Sequence, residues 1–261
     1  MFRHEGVDRS HRHNQLLAGY LAVIAGFVNS AGFILIGSFT SHVTGNVGRF
    51  ADDLALGRSA AVFAAIMVVA YFAGAFLASM AIESNVLRRR SVYGGLLLFE
   101  AGLLASFALL SYMMDTRNPL FNDIQALLLC VAMGLQNSFV TRLSGAVVRT
   151  THLTGAVTDL GIESARWFRL WRAKLGHRAN VRLVAGSAHA TEPQAPRTFL
   201  LLTILITFIV GSALGAASAV STGALALFIP TALLVAGGLF ALRDTREIDL
   251  PRSTDGSVQD S

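Results

Sequence analysis

The chain has 261 residues, 53% of them hydrophobic and only 14% charged, with a mean hydropathy of +0.56. An ordinary soluble domain carries roughly 25% charged residues, so the composition excludes that class and points to a polytopic membrane protein. The net charge of +5 rests on 20 arginines and one lysine, Lys174. They sit between apolar runs, so membrane topology explains them and nucleic acid is not an expected partner. The lone cysteine, Cys130, lies inside an apolar run and has no internal disulfide partner.

Residues 1–15 are polar and read as a cytoplasmic tail. The first apolar run, from about Leu16 to Gly37, is too long for a signal-peptide core and suffices for a bilayer of ~30 Å. A polar, Gly- and Thr-rich segment follows, and the second span is Ser59 to about Ile82. Gly74 and Ala78 give that span a small-x-x-x-small face. Arg88, Arg89 and Arg90 separate it from the third, about Val92 to Met114, which carries Glu100 a third of the way in. A turn with Pro119 leads to the fourth, about Asp123 to Val140.

A long connection then runs from Thr141 to Arg197. Within it, Trp167, Leu170, Trp171, Lys174 and Leu175 recur at three- and four-residue spacing, flanked by arginines. That is the pattern of a helix in the membrane interface, or of a basic helix that binds a partner. Residues 185–197 read as a linker. The fifth span, Thr198 to about Val220, has a true G-x-x-x-G at Gly211 and Gly215. The sixth, Leu225 to about Leu242, contains Pro230, which removes a backbone donor and predicts a kink. Residues 243–261 read as a disordered tail.

Six spans place 18 of the 21 Arg and Lys residues on the side of both termini and 3 on the other. The positive-inside rule makes the first side cytoplasmic.

One polar pattern occurs twice. Gly26 to Ser30 and Gly134 to Ser138 both read Gly-x-x-Asn-Ser, 108 residues apart. Thr40 to Asn46 and Thr150 to Ala156 both contain His-x-Thr-Gly, 110 apart, and Asp52 with Arg58 is matched to Asp159 with Arg166. Each half then holds three spans, residues 16–114 and 115–242, the second with a basic cytoplasmic segment at 166–197. An odd number of spans gives the halves opposite orientations. The expected fold is an all-α membrane protein of six transmembrane helices, built as two inverted three-helix repeats. The His-x-Thr-Gly segments are expected to dip into the protein as short re-entrant helices, with Thr and Ser capping their N-termini.

The candidate site gathers His42, Thr44, Gly45 and Asn46 with His152, Thr154 and Gly155, together with Asn29, Ser30, Asn137, Ser138 and Glu100. His42 and His152 are either a proton relay or ligand contact, or ties within their own loops. Glu100 is either a coupling carboxylate or a protonated group hydrogen-bonded between helices. Asn29, Asn137 and Gln136 are expected to hydrogen-bond across the repeats. Asp52 and Asp159 are expected to pair with Arg49, Arg58 or Arg166. Two histidines without convergent Cys or carboxylates fall short of a zinc site, and no cofactor is implied. No phosphate loop, H-E-x-x-H or G-x-S-x-G string occurs, so an enzyme is not expected.

The runs Gly26-Phe27-Val28-Asn29-Ser30-Ala31-Gly32-Phe33 and Phe39-Thr40-Ser41-His42-Val43-Thr44-Gly45-Asn46 resemble the YoaK-like family of bacterial inner-membrane proteins. The resemblance covers about residues 16–242. It implies a six-span bacterial plasma-membrane protein of a family of unknown function, loosely guessed to be permeases, and it implies no activity. Asn29 stands where that family frequently has an acidic residue. The expected function is a permease or channel for a small polar or anionic solute, with lipid and a further copy of the chain as partners. The alternative is a membrane scaffold or sensor that recruits a partner through its basic segment.

Overall fold

Long apolar runs become helices because a bilayer offers no water to satisfy a backbone amide or carbonyl. The computed structural model describes residues 11–84, 89–113, 119–144, 153–175 and 194–246, and these are helical almost throughout. In chain order the helices are α1 (His11–Ile36), α2 (Val43–Ala55), α3 (Ala60–Ser84), α4 (Arg89–Met113), α5 (Pro119–Leu143), α6 (Leu153–Leu175), α7 (Ala195–Thr222) and α8 (Phe228–Arg246). A 3₁₀ turn, Gly223–Leu227, joins the last two.

Five stretches are long and apolar enough to cross a membrane: Gln15–Ile36, Ala60–Ser84, Val92–Met113, Leu120–Leu143 and Ala195–Arg243. The last has 49 residues, which as one helix would extend about 70 Å, twice a bilayer. It is two helices running in opposite directions. The break is at Gly223, whose φ of +60° suits glycine. Pro230 lies in the first turn of α8, where the helix needs no amide donor. The expected kink at Pro230 is therefore replaced by a reversal at Gly223. Pro196 likewise opens α7, so the linker expected at 185–197 ends before Ala195.

Helix directions follow from the contacts. Gly19 faces Thr203 and Thr207, while Gly26 faces Phe208 and Ser212, so α1 and α7 run parallel. Gly134 meets Tyr71 and Ala75, and the Ser138 hydroxyl meets that of Ser79 at 2.8 Å, so α5 and α3 run parallel. Gln136 reaches the Leu21 carbonyl and Leu129 packs at Gly32, so α5 runs against α1. Ser111 and Gln125 join the ends of the α4–α5 hairpin. Gly94 packs at Gly238 and Leu242, and Gly238 at Gly94 and Leu98, so α4 and α8 are antiparallel.

Glycine is what permits these approaches. A β-carbon on Gly74 would stand 2.8 Å from the carbonyl carbon of Val131, and one on Gly211 equally close to that of Val23. Small residues let backbones pack where lipid gives no hydrophobic drive to association. The core sits along α1, α4 and α5, with Leu21, Leu97, Leu104, Leu135 and Phe139 fully buried. The outer face of α3 carries exposed Val62, Val69 and Phe72, as a lipid-facing helix would.

Candidate functional site

After Ile36 the chain does not leave the bundle. Gly37, at φ +72°, turns it back, and Phe39 stacks on Phe33 with ring centroids 4.3 Å apart. Thr40, 1% exposed, returns to Gly32, and the Ser41 hydroxyl donates to Asn29 Oδ1 at 2.7 Å. Asn29 lies seven residues before Ile36, so Ser41 sits about 10 Å below the end of α1. From there α2 runs beside α3.

His42 occupies the N-cap position of α2 without a side-chain cap bond. The expected Thr or Ser cap is absent, because Ser41 spends its hydroxyl on Asn29 instead. The exposed His42 ring lies across Gly45, where a β-carbon would be 2.9 Å from its Cε1, and stands edge-on to Phe39. Thr44 is exposed, while Asn46 is buried and donates to the Phe39 carbonyl at 3.5 Å. The polar face of α2, with Asn46 and Asp53, turns inward, whereas Val47 and Leu54 turn outward. A helix with its apolar face outward fits a lipid surround.

The second copy is less complete. Thr150, Thr151 and His152 lie outside the described residues. Thr154 and Gly155 are exposed in the first turn of α6, and Leu153 packs against the core. The motif and the aromatic segment form one continuous helix, on which Trp167, Phe168 and Trp171 are exposed. Trp167 Nε1 donates to Thr198 Oγ1 at 3.3 Å. Residues 176–193 of the basic segment, and residues 1–10 and 247–261 of the two tails, also lie outside the described residues.

The acidic pairs differ from expectation. Asp53, not Asp52, takes Arg49 at 3.7 Å and Arg58 at 3.5 Å. Asp159 takes Arg197 at 2.8 Å, and Arg166 takes Glu163 at 2.5 Å. Glu163 is 1% exposed and also accepts the Gln194 backbone N–H at 3.1 Å. It stands 110 residues after Asp53, the same interval that separates the two histidines. That interval was the signal in the sequence: it couples Asp53 with Glu163, whereas matching Asp52 to Asp159 breaks register.

Of the three amides expected to bridge the halves, Gln136 does so, donating to Leu21 O at 3.3 Å. Asn29 bonds within its own half, and Asn137 donates to Met133 O of its own helix at 2.9 Å. A side-chain bond to the i−4 carbonyl competes with any interhelical one. Ser138 meets Ser79, and Ser30 is half-buried.

Glu100 is 0% exposed on α4, and among the described residues neither carboxyl oxygen has a hydrogen-bond partner. The buried Gln136 Oε1 is likewise unpartnered. In the antiparallel α4–α5 hairpin, Ser111 pairs with Gln125. Eleven residues back from Ser111 and eleven on from Gln125 are Glu100 and Gln136, so the two stand at one level. Tyr20 of α1 donates its hydroxyl to Leu233 O of α8. Sequence reading passed over Tyr20, since one phenol near a span end carries no periodic signal. Among the described residues no group of three or more metal-ligating side chains occurs.

A family profile, "Protein of unknown function (DUF1275)", matches residues 17–240, from early in α1 into α8. The chain belongs to the DUF1275 family. Its members are defined by shared sequence, without an assigned activity. No curated protein and no solved structure matches the chain.

Proposed function

We propose that this DUF1275 protein is an integral-membrane permease for a small polar solute, with its pathway between two inverted halves. The halves are α1–α4 and α5–α8, and α7 and α8 are separate spans, giving six. The YoaK-like grouping and a bacterial inner membrane with both termini cytoplasmic belong to the same reading.

The observation that carries it is a duplicated helix contact. Gly74 packs on Val131, and Gly211 on Val23. Gly134 packs on Tyr71 and Ala75, and Gly26 on Phe208 and Ser212. Val131 follows Val23 by 108 residues, as Gly134 follows Gly26. Phe208 and Ser212 follow Tyr71 and Ala75 by 137, as Gly211 follows Gly74. Each first helix of one half is thus clasped by the second helix of the other. On the third helices a β-carbon added to Gly94 would meet the Gly238 carbonyl at 2.9 Å, and one added to Gly238 would meet the Gly94 carbonyl at 3.0 Å, the reciprocity of a pseudo-twofold axis.

Inverted repeats of this kind place transporter sites near the midplane. The return of Ser41 to Asn29 supports a re-entrant first segment, and polar backbone at that depth is tolerated only where protein or a cavity covers it. Solute uptake into proteoliposomes tests the reading. A scaffold that recruits a partner is the second reading. It is favoured by exposed Arg169 and Arg172, which have no acidic partner among the described residues.

A further inference from the structure

We infer that Glu100 is the proton-binding group of the bundle, taking a proton from water on one side and releasing it to water on the other. The inference rests on the permease reading and assigns its energy source.

The placement carries it. Gly26 and Gly134 are equivalent positions on antiparallel helices, so the level at which they pass marks the centre of the repeat. Gln136 is two residues beyond Gly134, about 3 Å along the axis, and Glu100 faces it from α4. An acidic side chain therefore stands at the centre of the bundle, fully buried, with both oxygens unpartnered. Such burial of an ionised carboxylate costs several kcal/mol, roughly what a structure spends only where function requires it. A carboxyl kept merely for helix association would be hydrogen-bonded between helices.

The surroundings fit a proton better than a larger cation. A divalent ion needs about six to eight oxygen ligands. Among the described residues no group of three or more metal-ligating side chains occurs, and the Tyr20 hydroxyl is already donating to Leu233. A proton needs one acceptor, and Gln136 Oε1, unpartnered among the described residues, lies at the level of Glu100 on the neighbouring helix. The core of α8 and the 3₁₀ turn packed on α4 is apolar, with Leu234 and Leu227 buried. The other ionisable groups of the helices packed on α4 are remote. Glu83, Asp123, Arg142 and Arg243 stand near helix ends, and Cys130 lies in a separate cluster with Met67.

The step balances without a further reactant: one O–H bond of hydronium breaks, leaving water, as one O–H bond forms on a carboxylate oxygen, and the reverse reaction returns the proton to a water molecule on the other side. The test is infrared spectroscopy of the full chain in lipid, with pH and sodium varied separately. The expected result is a carboxylic-acid C=O band that converts reversibly to carboxylate as pH rises, ignores sodium, and is missing from Glu100→Gln. A band that does not respond to pH, one that responds to sodium, or one that persists in Glu100→Gln overturns the inference. The wild-type titration stands even where the variant fails to fold, and Glu100→Asp should keep a shifted band. Uptake that is indifferent to a proton gradient and to Glu100→Gln would sink the coupling while leaving the permease reading intact. A titrating band without any solute uptake would support the proton site and count against the permease.

Discussion

The Ser41 hydroxyl is hydrogen-bonded to Asn29 Oδ1 at 2.7 Å, holding the start of α2 two turns below the end of α1. Losing one such bond costs about 1 kcal/mol. Ser41→Ala and Asn29→Ala are each expected to lower stability in detergent by about that amount, and their effects should not add. The coupling, read from a double-mutant cycle, should be about 0.6 kcal/mol or more. Strict additivity would mean that the bond does not hold the segment.

Gly74 and Gly211 make the same approach to a partner carbonyl, so Gly74→Ala and Gly211→Ala should destabilise alike. Overpacking of a tight contact costs about 1–3 kcal/mol, and here backbone faces backbone, so the upper end applies. Gly102, with nothing within 4 Å of a β-carbon, is the control, and Gly102→Ala should be neutral or slightly stabilising. Thermal unfolding followed by size-exclusion recovery reads all three. Unequal losses at Gly74 and Gly211 would contradict the duplicated contact.

The spans themselves were legible because length and apolarity alone define them. The small-residue faces were legible too, since Gly74, Gly211 and Gly215 each meet a neighbouring backbone closely. Facing direction was not. Whether Asp52 or Asp53 turns inward depends on how α2 lies against α3, and one residue rotates a helix position by about 100°. Asn137 read as an interhelical donor, and its amide also donates to the i−4 carbonyl of its own helix, Met133 O. Pro230 read as a kink because nothing in the sequence told how early in α8 it would fall. Glu100 is buried although its own span carries no local pattern that announces burial at that position.

Asp53 and Glu163 should prove equivalent in function. Each is buried and ties its helix to the chain entering the next span, Asp53 through Arg58 and Glu163 through the Gln194 amide. Bonds to a charged group contribute about 1.5–3 kcal/mol, so Asp53→Asn and Glu163→Gln should each cost a comparable amount. Trp167 and Trp171, the only tryptophans, report on the second site. Their fluorescence should shift to the red in Glu163→Gln as α6 loosens from α7, and stay unchanged in Asp53→Asn. An unmoved emission in Glu163→Gln would show that this bond does not seat α6.

The two motif segments should open to opposite sides of the membrane. With Cys130 replaced by alanine, Thr44→Cys should react with an impermeant maleimide from outside the cell, and Thr154→Cys only from the cytoplasmic side of inverted vesicles. Both side chains are exposed, so reagent access is governed by sidedness rather than packing. Labelling of both from one side would remove the inverted arrangement.

Uptake by the purified chain in proteoliposomes tests the central claim most directly. A panel of labelled small polar solutes, neutral, anionic and cationic, is offered under an imposed proton gradient, with protein-free vesicles as the baseline. The account predicts gradient-driven accumulation of at least one solute by the wild type, lost in Glu100→Gln while exchange without a gradient continues. No accumulation of any solute by protein shown to be folded and inserted would contradict it.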